Sequence, residues 1–343
     1  MTAIQSVHTT ATNATDTATE PTPDLVQAMR HWGPLWHRDI VAGRDAMYAA
    51  FAPHLAQAEA QAAAEGVVNL ARDTPYGAHA RQVLDVYAPA RPQHAQAPWP
   101  VMLFVHGGAF VRGDKEHPCG IYRNVALDFA RHGWLALNVE YRLAPEAPWP
   151  EGAVDVREAV LWAQTHVARF GGDAQRIFLM AHSAACAHTA TAVWDERVRP
   201  TGGLPIAGMA LVSPRSRADV RAENPNAFGV RAYYGDDESQ YNQRAPLAHV
   251  RPDAPPTLVA LAQYENPLLE FYALELAHAL AQACDTQGGP MPRVLQLPDH
   301  NHTSLMAGFN LPGNLLGRQI RDWCARVERG EFRARNWGSP GGV

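Results

Sequence analysis

Ser183 stands where a hydroxyl can become a nucleophile. The apolar run Arg176-Ile-Phe-Leu-Met180 reads as a buried parallel strand, and Ala184-Ala-Cys-Ala-His-Thr-Ala190 reads as the start of a helix. Between them lies the pentapeptide Ala181-His182-Ser183-Ala184-Ala185. A serine on a tight strand-to-helix turn adopts a strained backbone, holds its hydroxyl clear of the sheet and lies beside the amides of a helix N-terminus. That arrangement serves attack on a carbonyl carbon. The usual pattern has glycine at both ends of such a pentapeptide; alanine, the next smallest residue, stands at both here. A second group precedes it by some 75 residues: Val105-His106-Gly107-Gly108-Ala109-Phe110, directly after another apolar run. Two glycines let the backbone turn sharply and aim N–H groups at one point. With the amide of Ala184, those of Gly107 and Gly108 form a donor set for an oxyanion.

These residues need a sheet to hold them. Short apolar runs at Val83–Tyr87, Val101–Val105, Leu135–Tyr141, Ile177–Met180, Met209–Val212, Thr257–Ala262 and Arg293–Leu297 read as strands. Helical stretches fall at Gly120–Arg131, Gly152–Phe170, Ala184–Arg197, Leu268–Cys284 and Leu315–Arg329. The alternation predicts an α/β fold, a mostly parallel central sheet with helices on both faces and right-handed crossovers. Ligands then bind beyond the carboxyl ends of the strands, where Ser183 and Gly107 both fall. Upstream, Leu25, Val26, Met29 and Trp32, then Met47, Phe51 and Leu55, recur at helical spacing, broken at Pro34. The irregular stretch from Pro214 to Pro246 is expected to form part of a lid.

Composition bounds the rest. The 343 residues are 47% hydrophobic and 18% charged, an ordinary globular balance, with room for one large domain and an extra segment. A net charge of −5 gives no reason to expect nucleic acid or an anionic membrane as partner. The four cysteines, Cys119, Cys186, Cys284 and Cys324, form no CxxC pair and read as free thiols of a reducing, cytoplasmic setting. No apolar stretch approaches the ~20 residues of a membrane span. Met1 to Thr22 lacks the basic and apolar regions of a secretory signal and reads as a disordered tail. No phosphate-binding loop or metal cluster appears, so no cofactor is expected.

A third string, Val139-Glu-Tyr-Arg-Leu-Ala-Pro-Glu146, follows the next strand. Its expected role is structural, with Arg142 pairing Glu146 and Asp155 making further hydrogen bonds. His-Gly-Gly-Ala-Phe, this string and the serine turn, in this order and spacing, resemble the α/β-hydrolase fold. Within it they resemble the hormone-sensitive-lipase-like esterases and the related kynurenine-formamidase-like hydrolases. The resemblance spans about residues 75–330. It implies hydrolysis of carboxylic esters by a serine triad, with a helical cap drawn from residues 23–66; residues 331–343, by their own composition, read as a loose tail.

The resemblance also implies the chain order Ser, acid, His. In the turn Ala262-Gln263-Tyr264-Glu265-Asn266-Pro267-Leu268, Glu265 is the ionisable carboxyl, so it is expected to orient the imidazole. Asp253 and Glu270 are rivals. In Leu297-Pro-Asp-His300-Asn-His302-Thr-Ser304, relatives favour His302 as the base, with His300 the rival. Trp32 and Trp36, on the expected cap, either pack in the core or line an acyl or aryl pocket. His182 and Cys186 are expected to be buried and inert. An aryl formamidase with the same triad and a ligand-binding protein that has lost catalysis remain as alternatives. A homodimer is possible by analogy with relatives.

Overall fold

The computed structural model describes residues 20–89, 98–287 and 290–332. The expected tails over 1–22 and 331–343 lie, but for their inner residues, outside the described residues. The strands are β1 (Val68–Pro75), β2 (Val83–Ala88), β3 (Trp99–Val105), β4 (Leu135–Val139), β5 (Gly172–His182), β6 (Gly208–Val212), β7 (Thr257–Tyr264) and β8 (Arg293–Asn301). The helices are α1 (Pro23–Trp32), α2 (Ile40–Ala64), α3 (Arg123–Arg131), α4 (Glu151–His166), α5 (Ala184–Trp194), α6 (Ala227–Tyr234), α7 (Tyr241–Arg244), α8 (Leu269–Gln287), α9 (Ser304–Ala307) and α10 (Leu315–Glu328).

The described strands form one sheet in the order β1-β2-β4-β3-β5-β6-β7-β8. β2 runs antiparallel to β1 and β4, and the pairs from β4 through β8 are parallel. A parallel sheet is covered on both faces, which is why its strands read as unbroken apolar runs. Along β3, Met102 and Phe104 join one apolar cluster, with Val125 of α3 and Ile320 of α10. Leu103 and Val105 join the other, with Val160 of α4 and Leu276 of α8. Met29, Met47, Phe51 and Leu55 of α1 and α2 pack into the first cluster too.

The sequence pattern places seven of these strands but misses β1. Val-Asn-Leu-Ala-Arg-Asp-Thr-Pro lies on the sheet edge, mostly exposed, and its pairing with β2 slips twice, so no alternation survives. β5 starts earlier than its apolar run, at Gly172, and β8 runs on to Asn301. Strand register does the positioning. Val105 pairs with Ala181, and His182 with Val212, so Gly107, Ser183 and Ser213 leave the sheet at one edge. Tyr264 pairs with Asn301, which makes Glu265 and His302 neighbours.

Candidate active site

Ser183 has φ 57° and ψ −122°, the strained conformation expected where β5 turns into α5. Positive φ falls on Ser183 and not on Ala181 or Ala185. The flanking positions therefore need small side chains rather than glycine's freedom. Both alanines are fully buried in the second apolar cluster. The Ser183 N–H donates to Val212 O at 2.9 Å, which fixes the turn to the end of β6.

The Ser183 Oγ lies 3.1 Å from His302 Nε2. His302 Nδ1 lies 2.8 Å from Glu265 Oε2. The His302 N–H donates to Tyr264 O at 3.1 Å, tying the histidine turn to the acid turn. Glu265 is buried; its Oε1 accepts the Ala262 N–H at 2.8 Å and the hydroxyl of Ser213. An ionised carboxylate only accepts hydrogen bonds, so its contacts with His302 Nδ1, the amide and the hydroxyl match its chemistry. They also fix the imidazole tautomer with Nδ1 protonated and Nε2 open toward Ser183.

The rivals lie elsewhere. His300 Nδ1 sits 3.2 Å from Ser304 Oγ, and burial pushes its imidazole down to about 4. Asp253 is held by Arg251 and Arg199 at the surface. Glu270 sits on α8, outside the contacts of His302. Ser213 went unnoticed in the sequence; its position at the end of β6, where ligands of such sheets gather, was the available signal.

The Gly107–Gly108 turn is built on a need for glycine. At Gly108, with φ 156°, a Cβ would fall 1.6 Å from Arg112 O. A Cβ on Gly107 would lie 3.1 Å from Ser183 Cβ, so that turn approaches the serine closely. The string after β4 anchors it: His106 Nε2 meets Glu140 Oε1 at 2.9 Å, and Tyr141 Oη donates to His106 O at 2.9 Å. Glu140 also accepts the Lys115 N–H at 2.9 Å and pairs with Arg81. Burial pushes this carboxyl up, but His106 and Arg81 outweigh it and hold it below its ordinary range. The expected Arg142–Glu146 pair is corrected. Arg142 binds Asp155 at 2.6 Å and Glu151 at 2.7 Å, both on α4, while Glu146 is exposed.

His182 is buried in the cavity wall with its ring 4.6 Å from that of His302. Burial, and then the neighbouring His302, push it well below its ordinary value, so it stays neutral. Cys186 is buried, its thiol pushed up by burial, and donates to Ala181 O and Val212 O.

A cavity of about 490 Å³ opens over Ser183 and His302. Trp36, Tyr48, Ile121, Tyr122 and Met306 line it, and Pro225 and Asn226 of the irregular stretch reach its wall. Trp36 is fully buried, and its indole N–H donates to Asn266 Oδ1 at 3.0 Å. Trp32 takes the core alternative of the two expected for it: it is absent from the cavity lining and packs against the first apolar cluster, edge-on to His31. The helical period that places Trp32 with Leu25 and Met29 turns it to the core. Among the described residues, no helix is long and apolar enough to cross a membrane.

A family model described as BD-FAE matches residues 84–193. The esterase LipI of Mycobacterium tuberculosis is 34% identical over 215 residues, 58% of this chain and 64% of LipI. The esterase LipQ of the same organism is 25% identical over 267 residues, 73% of this chain and 60% of LipQ. The chain thus spans less than two thirds of the length of either relative. Among solved structures, a bacterial heroin esterase superposes with a TM-score of 0.62 at 23% identity, covering 92% of this chain and 99% of that one. An esterase of Pyrobaculum calidifontis gives 0.61 at 21% identity, covering 91% and 99%.

The sheet, the serine turn and these superpositions define the α/β-hydrolase fold. Within that fold its sequence is similar to the mycobacterial esterases LipI and LipQ.

Proposed function

We infer that the protein hydrolyses carboxylic esters through an acyl-enzyme. Ser183 attacks the ester carbonyl, and His302 takes its proton and returns it to the leaving alcohol. Glu265 holds the imidazole and stabilises its cation. The amides of Gly107, Gly108 and Ala184 receive the oxyanion. Water then attacks the acyl-enzyme by the same route. The single observation behind this reading is the contact chain from Glu265 through His302 to Ser183, 2.8 and 3.1 Å, on the wall of a cavity.

Small or aryl esters suit the size of that cavity and the aromatic rings of Trp36 and Tyr48 on its lining. The names of the relatives, esterases and an arylesterase among them, favour the ester over the formamide reading. Four unpaired cysteines favour the cytoplasm.

The test is turnover of p-nitrophenyl acetate and butyrate by the wild type and Ser183→Ala, with labelling by a fluorophosphonate. Loss of both turnover and label in the variant is expected. Equal turnover in the two proteins overturns the assignment, and an unlabelled wild type would instead favour a non-catalytic binding protein. N-formylkynurenine, offered beside the esters, separates the formamidase alternative.

A further inference from the structure

The cavity over Ser183 has walls of two kinds. Trp36, Ile121, Tyr122 and Met306 are buried and offer mostly apolar surface. The outer lining carries charge, and its cations differ in how they are occupied. Arg44 on α2 is closed by its neighbour Asp45, with Nε and Nη2 at 2.9 and 2.8 Å from the same carboxylate oxygen. Arg112 has no carboxylate within 4.0 Å among the described residues. Among the described residues its guanidinium makes one hydrogen bond, from Nη2 to Asn226 Oδ1 at 3.3 Å. Most of its donors therefore face solvent or the cavity.

Arg112 is also held in place by its backbone. Its N–H donates to Gly108 O at 3.0 Å, and its own carbonyl occupies the space a Cβ on Gly108 would need. The guanidinium thus extends from the turn that carries the proposed oxyanion amides. The amide group of Asn226, on the facing segment, adds donors beside it. The nearby acid Asp114 turns back on its own loop, where its Oδ1 accepts the Glu116 N–H at 2.8 Å. A planar fork of N–H donors beside a carboxamide matches a carboxylate in geometry and charge.

We propose that Arg112, with Asn226, forms a subsite for a free carboxylate on the substrate, so that the preferred esters are anionic. The proposal rests on the ester-hydrolase reading. The carboxylate belongs either to the acyl group, as in a monoester of a dicarboxylic acid, or to the leaving alcohol, as in an acyloxybenzoate. In both cases the ester carbonyl sits at Ser183 and the negative group sits outward, at the rim.

Two substrate pairs test it: 4-acetoxybenzoate against its methyl ester, and monoethyl adipate against diethyl adipate. The quantity read is the ratio of kcat/KM for the anionic to the neutral member, which cancels general damage to the site. In the wild type at least one ratio exceeds unity, and the pair that shows it identifies the side bearing the carboxylate. Arg112→Gln lowers that ratio roughly tenfold, the size of one hydrogen bond to an ion, while Arg112→Lys, which keeps the charge without the fork, gives an intermediate ratio. Ratios that stay the same in Arg112→Gln overturn the proposal, as do wild-type ratios below unity in both pairs. If no ester of either pair is cleaved and p-nitrophenyl acetate is not turned over, the hydrolase reading fails and calorimetry still decides the subsite. The inert carboxylate 4-ethoxybenzoate binds the wild type more tightly than Arg112→Gln if the subsite exists, and equal affinities refute it.

Discussion

The indole N–H of Trp36 donates to the side-chain oxygen of Asn266 at 3.0 Å, across 230 residues of chain. Trp36 lies in the turn between α1 and α2, and Asn266 directly follows Glu265. One buried hydrogen bond therefore fastens the helical N-terminal segment to the turn that carries the acid. Trp36→Phe leaves the Asn266 carboxamide buried without its donor and should lower unfolding free energy by about 1–3 kcal/mol. Removing both partners, in Trp36→Phe with Asn266→Leu, should recover much of that loss, because no polar atom is then stranded. Urea unfolding of the two single variants and the double variant measures the coupling. Additive losses would show that the bond carries no energy of its own.

Ser213 is the residue we most expect to matter among those that do not touch substrate. It has φ 52°, is fully buried and gives its hydroxyl proton to Glu265 Oε1. Ser213→Ala leaves that oxygen with the Ala262 amide alone and frees the carboxylate to swing from His302. A fall in kcat of about tenfold is expected, the effect of one charge-assisted hydrogen bond, with KM for p-nitrophenyl butyrate little changed. A Ser213→Thr variant that keeps the hydroxyl should retain more activity than Ser213→Ala. Equal activity in the alanine variant and the wild type would mean the acid is held well enough without it.

The two histidines that flank Asn301 should separate cleanly. His302→Ala removes the proposed base and should lower kcat/KM by ~10⁴-fold or more. His300→Ala removes a half-buried ring whose polar contact is with Ser304, so it should lower stability and leave the rate per folded molecule within a fewfold. Rates normalised to the folded fraction by circular dichroism make the comparison. Similar losses in both variants would revive His300 as the base.

The proposed nucleophile and oxyanion turn were legible because local structure demands their residue types. A serine at φ 57° between β5 and α5, and glycines where Arg112 O leaves no room for a Cβ, are requirements of a single turn, and they mark the sequence. Glu265 and His302 were legible through the resemblance and strand order, and the pairing of Tyr264 with Asn301 is what makes them adjacent. Ser213 and Asn266 were not. Their roles depend on partners 52 and 230 residues away, and serine and asparagine in turns are common for local reasons. The Arg142 pairing failed for a related reason. Sequence proximity favoured Glu146, whereas α4 presents Glu151 and Asp155 on the face toward the loop. Trp32 and Trp36 look alike in sequence, yet after the helix end Trp36 is buried in the first apolar cluster and reaches the cavity, while half-buried Trp32 only packs against that cluster.

Buried histidines make stability depend on mild acid. His188 on α5 is enclosed by Phe110, Tyr141 and Tyr233, with Nδ1 3.0 Å from Tyr233 Oη, and burial pushes its imidazole down to about 3. The ordinary value is 6.5, so below that pH the unfolded chain takes up a proton that the folded chain refuses. Stability is then lost as pH falls from 6.5 toward the folded value, at about 1.4 kcal/mol per pH unit for each such group. His182 and His300, lowered by burial in the same way, add to the slope. Between about pH 6.5 and pH 5, His188 alone accounts for about 2 kcal/mol. His188→Phe should lower stability at neutral pH, because Tyr233 loses its partner, yet it should flatten the acid dependence by that amount. Urea unfolding at several pH values reads both effects, and an unchanged slope in the variant would mean that His188 is protonated in the folded protein and that its aromatic enclosure tolerates the charge.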